Sequence, residues 1–140
     1  MLAGLVSPAL ADDSDFGIHK LALQISDDDP RKMTAVLNVA ANVSRHYASI
    51  GEEVEITIVA FNAGIHLLRT DTVPSDVGKR VRGFGQSMPN VTFVACGNTL
   101  DTMERAEGQR PPLFENAEVQ QAGVVTLIEL HEAGYTVVRP

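Results

Sequence analysis

Hydrophobic and polar positions along the chain follow two different spacings in turn, which predicts strands that alternate with helices. Short apolar runs bounded by turn residues are typical of strands, and four such runs lie at 18–26, 53–61, 91–95 and 135–139. A brief polar stretch at 118–120 is interpreted as a further strand. Apolar residues at helical spacing begin at Pro30, form a short helix around 65–68, resume at Pro74 and near Asn98, and cover 123–133.

This succession of elements predicts an α/β fold. Strands that alternate with helices favour a parallel sheet covered on both faces, and 140 residues is the size of one domain. We therefore expect a single three-layer domain whose five strands are mainly parallel and follow the flavodoxin-like order 2-1-3-4-5. In that order the ends of the first and third strands are neighbours. Asp27, Asp28, Cys96 and Gly97 would then share one crevice, with Asn62 at its side.

Composition and charge argue against several classes of function. The formal net charge is −7 and the pI is about 4.9, which opposes binding to nucleic acid or to an anionic lipid surface. No apolar run approaches the roughly 20 residues that a membrane span requires. The histidines are scattered and there is a single cysteine, so we expect no metal site. An acidic turn after the first strand would repel phosphate, so we expect no nucleotide or flavin cofactor either.

The first eleven residues resemble the end of a secretory signal peptide. They are apolar and uncharged, and Ala9-Leu10-Ala11 before Asp12 has the small-x-small pattern of a cleavage site. We therefore interpret 1–11 as the remnant of a signal and 12–140 as the folded domain, which predicts a periplasmic or exported protein. The alternative is a disordered leader on a cytoplasmic protein.

Cys96 is the strongest candidate for chemistry. It ends an apolar strand and is followed by Gly97, Asn98 and Thr99, which begin a helix, so backbone N–H groups and the helix dipole would favour its thiolate. The aspartates expected in the same crevice would instead raise the pKa of the thiol. Cys96 could equally be a small, buried, unreactive hydrophobe at a strand end.

Two turn regions have alternative interpretations. Asp27-Asp28-Asp29 could bind Mg²⁺ as in phospho-acceptor receiver domains, but a cysteine occupies the position of the acceptor carboxylate, and Asp29 before Pro30 is explained as a helix cap. Residues 105–116 lack any periodic signal, and a loop of this length is often a lid or an interface segment.

Several short motifs resemble the DsrE/DsrF-like family, and in particular its exported, largely uncharacterised branch. The most telling is Ala95-Cys96-Gly97-Asn98-Thr99 after the third strand. The others, in chain order, are Gln24 to Pro30, Asn38 and Asn42, Phe61 to Gly64, Gly123 to Val125 and Tyr135 to Pro140. The resemblance covers almost all of the chain from Lys20 onward.

The resemblance implies a flavodoxin-like domain that forms homo-oligomers, commonly trimers or hexamers. In the sulfur-relay members a cysteine after the third strand accepts a persulfide sulfur and passes it on, and Cys96 matches that cysteine. The leading hypothesis is therefore a sulfur carrier, sulfurtransferase-like at most, with a sulfur donor or acceptor protein as partner. In this hypothesis the residues that shape the pocket or stabilise the thiolate are Gly97, Asn98, Thr99, Asp27, Asp28, Asn62 and Gly64.

The competing hypothesis is a non-enzymatic, oligomeric module that binds a small ligand in the same crevice and has an inert Cys96. Export favours this alternative, because an oxidising compartment is a poor place for a reactive persulfide.

Overall fold

The computed structural model describes residues 17–140, so the predicted signal remnant at 1–11 lies outside the described residues. The strands are β1 (Ile18–Ile25), β2 (Glu53–Ala60), β3 (Val91–Cys96), β4 (Ala117–Gln120) and β5 (Thr136–Val138). The helices are α1 (Pro30–Ser49), α2 (Ser75–Ser87), α3 (Gly97–Glu107) and α4 (Gly123–Glu132), and a 3-10 helix spans Asn62–Leu67. No helix in the described part of the chain is long and apolar enough to cross a membrane.

The predicted α/β class is confirmed, with five parallel strands between two layers of helices. The strands lie in the order β4-β3-β2-β1-β5. β1 therefore lies between β2 and β5, whereas the order 2-1-3-4-5 would place it between β2 and β3. As a consequence, β2 separates the ends of β1 and β3, which were expected to be neighbours.

The direction of the crossovers explains both the order and the layers. The chain steps the same way across the sheet from β1 to β4, and only the connection through α4 returns to the far side of β1. Because parallel crossovers are right-handed, steps in one direction put α1, α2 and α3 on one face of the sheet and the returning α4 on the other.

The two faces differ greatly in how much they bury. On the face of α1 and α2, a large core includes Leu23, Ile58 and Phe93. On the face of α4, the buried cluster is confined to Ala22, Val59, Val94 and Leu127. Since side chains alternate along a strand, Cys96 points to the same face as Val94, towards α4.

The start of α1 follows from its sequence. The Asp29 carboxylate accepts a hydrogen bond from the Arg31 backbone N–H at 2.9 Å, and Pro30 is the first helical residue. This hydrogen bond is the main reason that the pKa of Asp29 lies below its usual value. Asp29 is therefore a helix cap, as the sequence predicts.

The predicted loop at 105–116 is shorter in the structure, because α3 continues to Glu107. Phe114 is buried in the large core, and its backbone N–H donates to the Leu68 carbonyl at 3.1 Å. Leu113 forms an antiparallel bridge with Arg69. The segment 108–116 is thus packed into the domain on the side of the 3-10 helix, which does not fit a freely moving lid.

A buried arginine, Arg69, connects α3 with the segment after the 3-10 helix. Arg69 is only 5% exposed, and its guanidinium makes paired hydrogen bonds of 2.8–2.9 Å to Asp71 and to Glu107. These bonds raise the pKa of Arg69 and lower the pKa values of both carboxyl groups. Arg69 therefore joins the end of α3 to the segment that follows the 3-10 helix.

We predict that Glu107→Gln lowers the free energy of unfolding at pH 7, and that its difference from wild type shrinks in acid. Because folding lowers the pKa of Glu107 below its usual value of 4.5, its stabilising effect is complete above that pH and is lost as the pH falls through the lowered value. Urea unfolding at pH 7 and at about pH 3 measures the difference. Glu118→Gln on the exposed strand β4 is the control, and an equal deficit at both pH values would contradict the prediction.

Candidate functional site

Cys96 is the last residue of β3 and caps the N-terminus of α3. Only 6% of its surface is exposed in the single chain. The three residues that follow it, Gly97, Asn98 and Thr99, form the first turn of α3, as the sequence predicts. The thiol therefore lies just beneath the surface at the carboxyl edge of the sheet.

A second helix also begins at this thiol. The backbone N–H of Gly123, the first residue of α4, donates to the Cys96 Sγ at 3.3 Å. In its protonated form the thiol donates to the Gln121 carbonyl at 3.8 Å. The positive ends of two helix dipoles thus converge on one sulfur atom, where the sequence alone indicated one.

These contacts set the acidity of the thiol. Burial is the largest single influence and raises the pKa of Cys96, but the polar groups around the sulfur together outweigh it, first the Gly123 N–H and then Thr99 and Asn98 at the start of α3. The pKa of the thiol therefore lies below its usual value. This environment favours the thiolate, which is the nucleophilic form.

The acidic turn occupies a different part of the edge from the one predicted. Asp27 pairs with Arg139 near β5 at 3.6 Å, Asp28 is exposed and Asp29 caps α1. Since β2 lies between β1 and β3, the expected crevice of Cys96 with Asp27 and Asp28 is divided by the end of β2. The main causes of the shift in the Cys96 pKa are burial and neighbouring polar groups, as described above. Asp27 and Asp28, which were expected to raise this pKa, are not among those causes.

Asn62, at the end of β2, does lie beside the cysteine segment. Its backbone N–H donates to the Thr99 hydroxyl at 3.0 Å. Gly64 has a packing role instead, because a Cβ at this position would overlap with the Ile25 carbonyl at the end of β1. The structure thus brings Asn62 close to residues 96–99, while Gly64 packs against the end of β1.

Gln121 is a site residue that sequence reasoning missed. Its backbone carbonyl accepts from the Asn98 N–H at 2.8 Å, and its side-chain amide donates to the Asn98 side chain at 2.6 Å and to Asp101 at 3.0 Å. The Arg110 guanidinium, followed by this amide, lowers the pKa of Asp101. Gln121 therefore ties the start of α3 to the start of α4 next to the thiol. The adjacency of β3 and β4 was the signal that could have identified it, since neighbouring parallel strands end at the same edge.

Two glycines allow this close approach. A Cβ on Gly123 would lie 3.1 Å from the Cys96 Cβ and 3.3 Å from the Phe61 Cβ. A Cβ on Gly97 would lie 2.9 Å from the Gln121 Oε1 and 3.0 Å from its Cα. Larger residues at either position would separate the two helix N-termini that meet at the sulfur.

Across residues 17–140, no group of three or more His, Cys, Asp or Glu side chains is arranged to hold a metal ion. The candidate site itself consists of one thiol, the first turns of two helices, the Thr99 hydroxyl and the Gln121 amide.

We predict that Gly123→Ala raises the pKa of Cys96 and destabilises the fold. The added methyl would push the start of α4 away from the sulfur and lengthen the 3.3 Å hydrogen bond, and such overpacking costs about 1–3 kcal/mol. The pH dependence of iodoacetamide alkylation measures the pKa, and urea unfolding measures stability.

Gly83→Ala in α2 is the matched control, because a Cβ there meets no atom within 4 Å. It should leave the thiol unchanged and stabilise the helix by up to about 1 kcal/mol. An unchanged thiol pKa in a folded Gly123→Ala protein would contradict the importance of this contact.

Comparison with known proteins supports the fold. No protein-family model matches the chain, and no curated protein sequence matches it. The chain is similar to the solved structure of a protein of unknown function from Methanobacterium thermoautotrophicum, with a TM-score of 0.67 and 28% sequence identity. The match covers 87% of this chain and 99% of the other. The chain therefore shares its fold over nearly its whole described length with this protein.

Proposed function

We propose that the protein is a sulfur carrier in which Cys96 accepts a persulfide sulfur and passes it on. The observation that carries this proposal is the hydrogen bond of 3.3 Å from the Gly123 N–H to the Cys96 sulfur, at a point where two helices begin. The sequence resemblance to the DsrE/DsrF-like family supports it, since the matching cysteine of that family's relay members carries sulfur.

The proposed transfer has two steps. The Cys96 thiolate attacks the outer sulfur of a donor persulfide, so that a new S–S bond forms at Cys96, the donor's S–S bond breaks and the donor leaves as a thiolate. An acceptor thiolate then attacks the outer sulfur on Cys96, and Cys96 leaves as a thiolate. One sulfur atom moves in each step, with no external oxidant or reductant.

The backbone donors would serve both steps in the same way. A lowered pKa increases the thiolate fraction that can attack the donor, and it makes Cys96 a better leaving group in the second step. The Gly123 N–H, which donates to the sulfur at 3.3 Å, and the polar groups of Thr99 and Asn98 would supply this effect without a cationic side chain. Fixed donors of this kind need no reorganisation when the charge develops.

Access to the sulfur would depend on Gln121. The side chain of Gln121 is exposed and bonded to Asn98 and Asp101, while the thiol beside it is buried. Rotation of this side chain would break two hydrogen bonds at the surface. Such a rotation would leave the buried core residues in place and would loosen the surface next to the thiol.

We expect incubation with a small-molecule persulfide donor to add one sulfur atom to Cys96. Intact-mass and peptide mass spectrometry would locate the addition, and Cys96→Ser, which removes the thiol but keeps a residue of similar size, should remain unmodified. A wild-type protein that stays unmodified by the donor, and whose thiol also resists alkylation while folded, would reject the carrier function.

The alternative function is a non-enzymatic module that binds a small ligand in this crevice. The burial of Cys96 to 6% exposure favours it, because inert structural cysteines are buried in this way. The binding function predicts that Cys96→Ser retains ligand binding and that the thiol of the folded wild-type protein is unreactive. The persulfide experiment therefore separates the two functions.

We further propose that the protein forms a homo-oligomer through the outer face of α4. Val124, Val125 and Ile128 are 52%, 49% and 51% exposed, and they lie on the side of α4 that points away from the buried Leu127. On the same face of the sheet, Val137 of β5 is 38% exposed. The family resemblance, which implies trimers or hexamers, favours a second copy of this chain as the partner.

We predict that Ile128→Glu converts the oligomer to a smaller species, because a carboxylate would have to be buried in an apolar contact. Light scattering coupled to size-exclusion chromatography measures the mass. Ile50→Glu is the matched control. Ile50 is 55% exposed, but it lies between the end of α1 and the start of β2, away from the outer face of α4. A wild-type protein that is monomeric at all concentrations, or an unchanged mass for Ile128→Glu, would contradict this interface.

A further inference from the structure

We propose that the groove between α1 and β5 is a binding site for a small, planar aromatic molecule. This α1–β5 groove is lined by the first residues of β1, the later part of α1 and the start of β5. It lies at the amino edge of the sheet, at the opposite end of the strands from Cys96. Its occupation therefore does not depend on the reactivity of the thiol.

The place of β5 in the sheet creates the groove. β5 is an edge strand that pairs with β1, whereas α1 packs on β1 and β2. Thr136 is paired with Leu21, so both side chains point to the face of the sheet that α1 covers. Thr136 is nevertheless exposed. The side of α1 and the uncovered part of β5 thus form the two walls of a concave surface.

The groove has the size and the lining of a small-ligand site. Its volume is about 720 Å³, and pockets that hold small organic molecules measure roughly 300–1,000 Å³. Such pockets combine a mainly apolar lining with a few polar groups that orient the ligand. The apolar residues that line this groove are Ile18, Leu21, Val43 and Val54.

Three rings in contact with one another also line the groove. The rings of His19 and Tyr47 are stacked, with centroids 3.8 Å apart and planes inclined by 14°. The ring of His46 meets Tyr47 edge to face, with centroids 5.1 Å apart. A further aromatic ring can pack on the faces or edges of such a row, and it gains more there than the burial of its area alone. The row of rings therefore favours a planar aromatic ligand over an aliphatic one.

Glu52 holds this row of rings in place before any ligand binds. The His19 Nε2–H donates to the Glu52 carboxylate at 2.7 Å. The Glu52 backbone N–H donates to the Tyr47 carbonyl at 2.9 Å. Because side chains that are already ordered lose less conformational entropy on binding, this arrangement lowers the cost of taking up a ligand.

Two polar side chains can orient the ligand. The Asn42 side-chain oxygen accepts from Arg45 at 2.9 Å, which leaves the N–H groups of the same amide for a ligand acceptor. The exposed Thr136 hydroxyl can donate or accept. Both residues line the groove. A planar ring system with a polar substituent at its edge matches the ring row together with these two groups.

The probes for this site are 2-naphthoate and decanoate, which have similar size and the same charge, although only 2-naphthoate is planar and aromatic. Titration of the nitrogen-15-labelled full chain, followed by NMR, measures the affinity and locates the site. 2-Naphthoate should shift the backbone amides of Leu21, Gly134 and Thr136. Decanoate should bind about tenfold more weakly, because it cannot make the ring contacts.

Two results of this titration would overturn the proposal. One is an equal affinity for decanoate. The other is a set of shifts outside the groove, either at Gly97 and Gln121 beside the thiol or at Ile128 on the outer face of α4.

Tyr47→Leu tests the row of rings directly, because it removes a ring and keeps an apolar side chain. It should weaken 2-naphthoate binding about twofold to tenfold, as expected for the loss of one aromatic pair. Tyr135→Leu is the matched control. Tyr135 is the other of the two tyrosines, and it packs on the α4 side of the sheet. An equal loss in both variants, or an unchanged affinity in folded Tyr47→Leu, would contradict the role of the rings and overturn the proposal.

The wild-type titration decides the question if Tyr47→Leu fails to fold, since it needs no variant. Dilution of the protein without any ligand completes the test. Groove amides that keep their positions on dilution would support an open site. Shifts of the same amides on dilution would show that a second copy of the chain covers the groove, and they would overturn the proposal.

Discussion

The hydrogen bond between the Gly123 N–H and the Cys96 sulfur is the contact on which the candidate site depends. It requires that β4 lies beside β3, that the chain turns at Gln121 and Ala122 into α4, and that the first residue of α4 lacks a side chain. It also requires that α4 crosses the face of the sheet to which Cys96 points. The last of these conditions follows from the single reversal of direction in the strand order, which puts α4 on the face opposite to α1, α2 and α3, so the topology of the sheet and the chemistry of the site are linked.

The thiol is stabilised by fixed dipoles rather than by a charged partner. Burial disfavours the thiolate because water is removed, and the Gly123 N–H, together with the polar groups of Thr99 and Asn98 at the start of α3, outweighs this effect. A lysine or arginine would supply more Coulomb energy, but its long side chain would also have to be ordered and desolvated. Backbone donors at helix N-termini are already ordered by folding. An acidic protein with net charge −7 can therefore still favour a thiolate at one protected point.

Local signals in the sequence predicted the elements well, because each depends on residues close together in the chain. Asp29-Pro30 marked the start of α1, and Cys96-Gly97 marked the end of β3 and the start of α3. The strand order could not be predicted in the same way. β2 and β3 are apolar along both faces, so their patterns show that they are covered but give no information on which strands lie beside them. The expected position of β1 between β2 and β3 was enough to place Asp27 and Asp28 next to the thiol. Gln121 follows β4, which is the neighbour of β3 in the expected and in the observed order alike.

The two faces of the sheet point to a connection between assembly and the thiol. On one side the large core holds α1 and α2 firmly, whereas α4 is held on its own face by a cluster of only four buried residues. Helices with few buried contacts are the first to open locally. The same α4 supplies the N–H donor to Cys96 from its first residue and exposes Val124, Val125 and Ile128 on its outer side. Any partner that packs on those side chains would restrict the motion of α4 and so fix the donor, because the proposed interface and the N–H donor to the sulfur belong to the same helix.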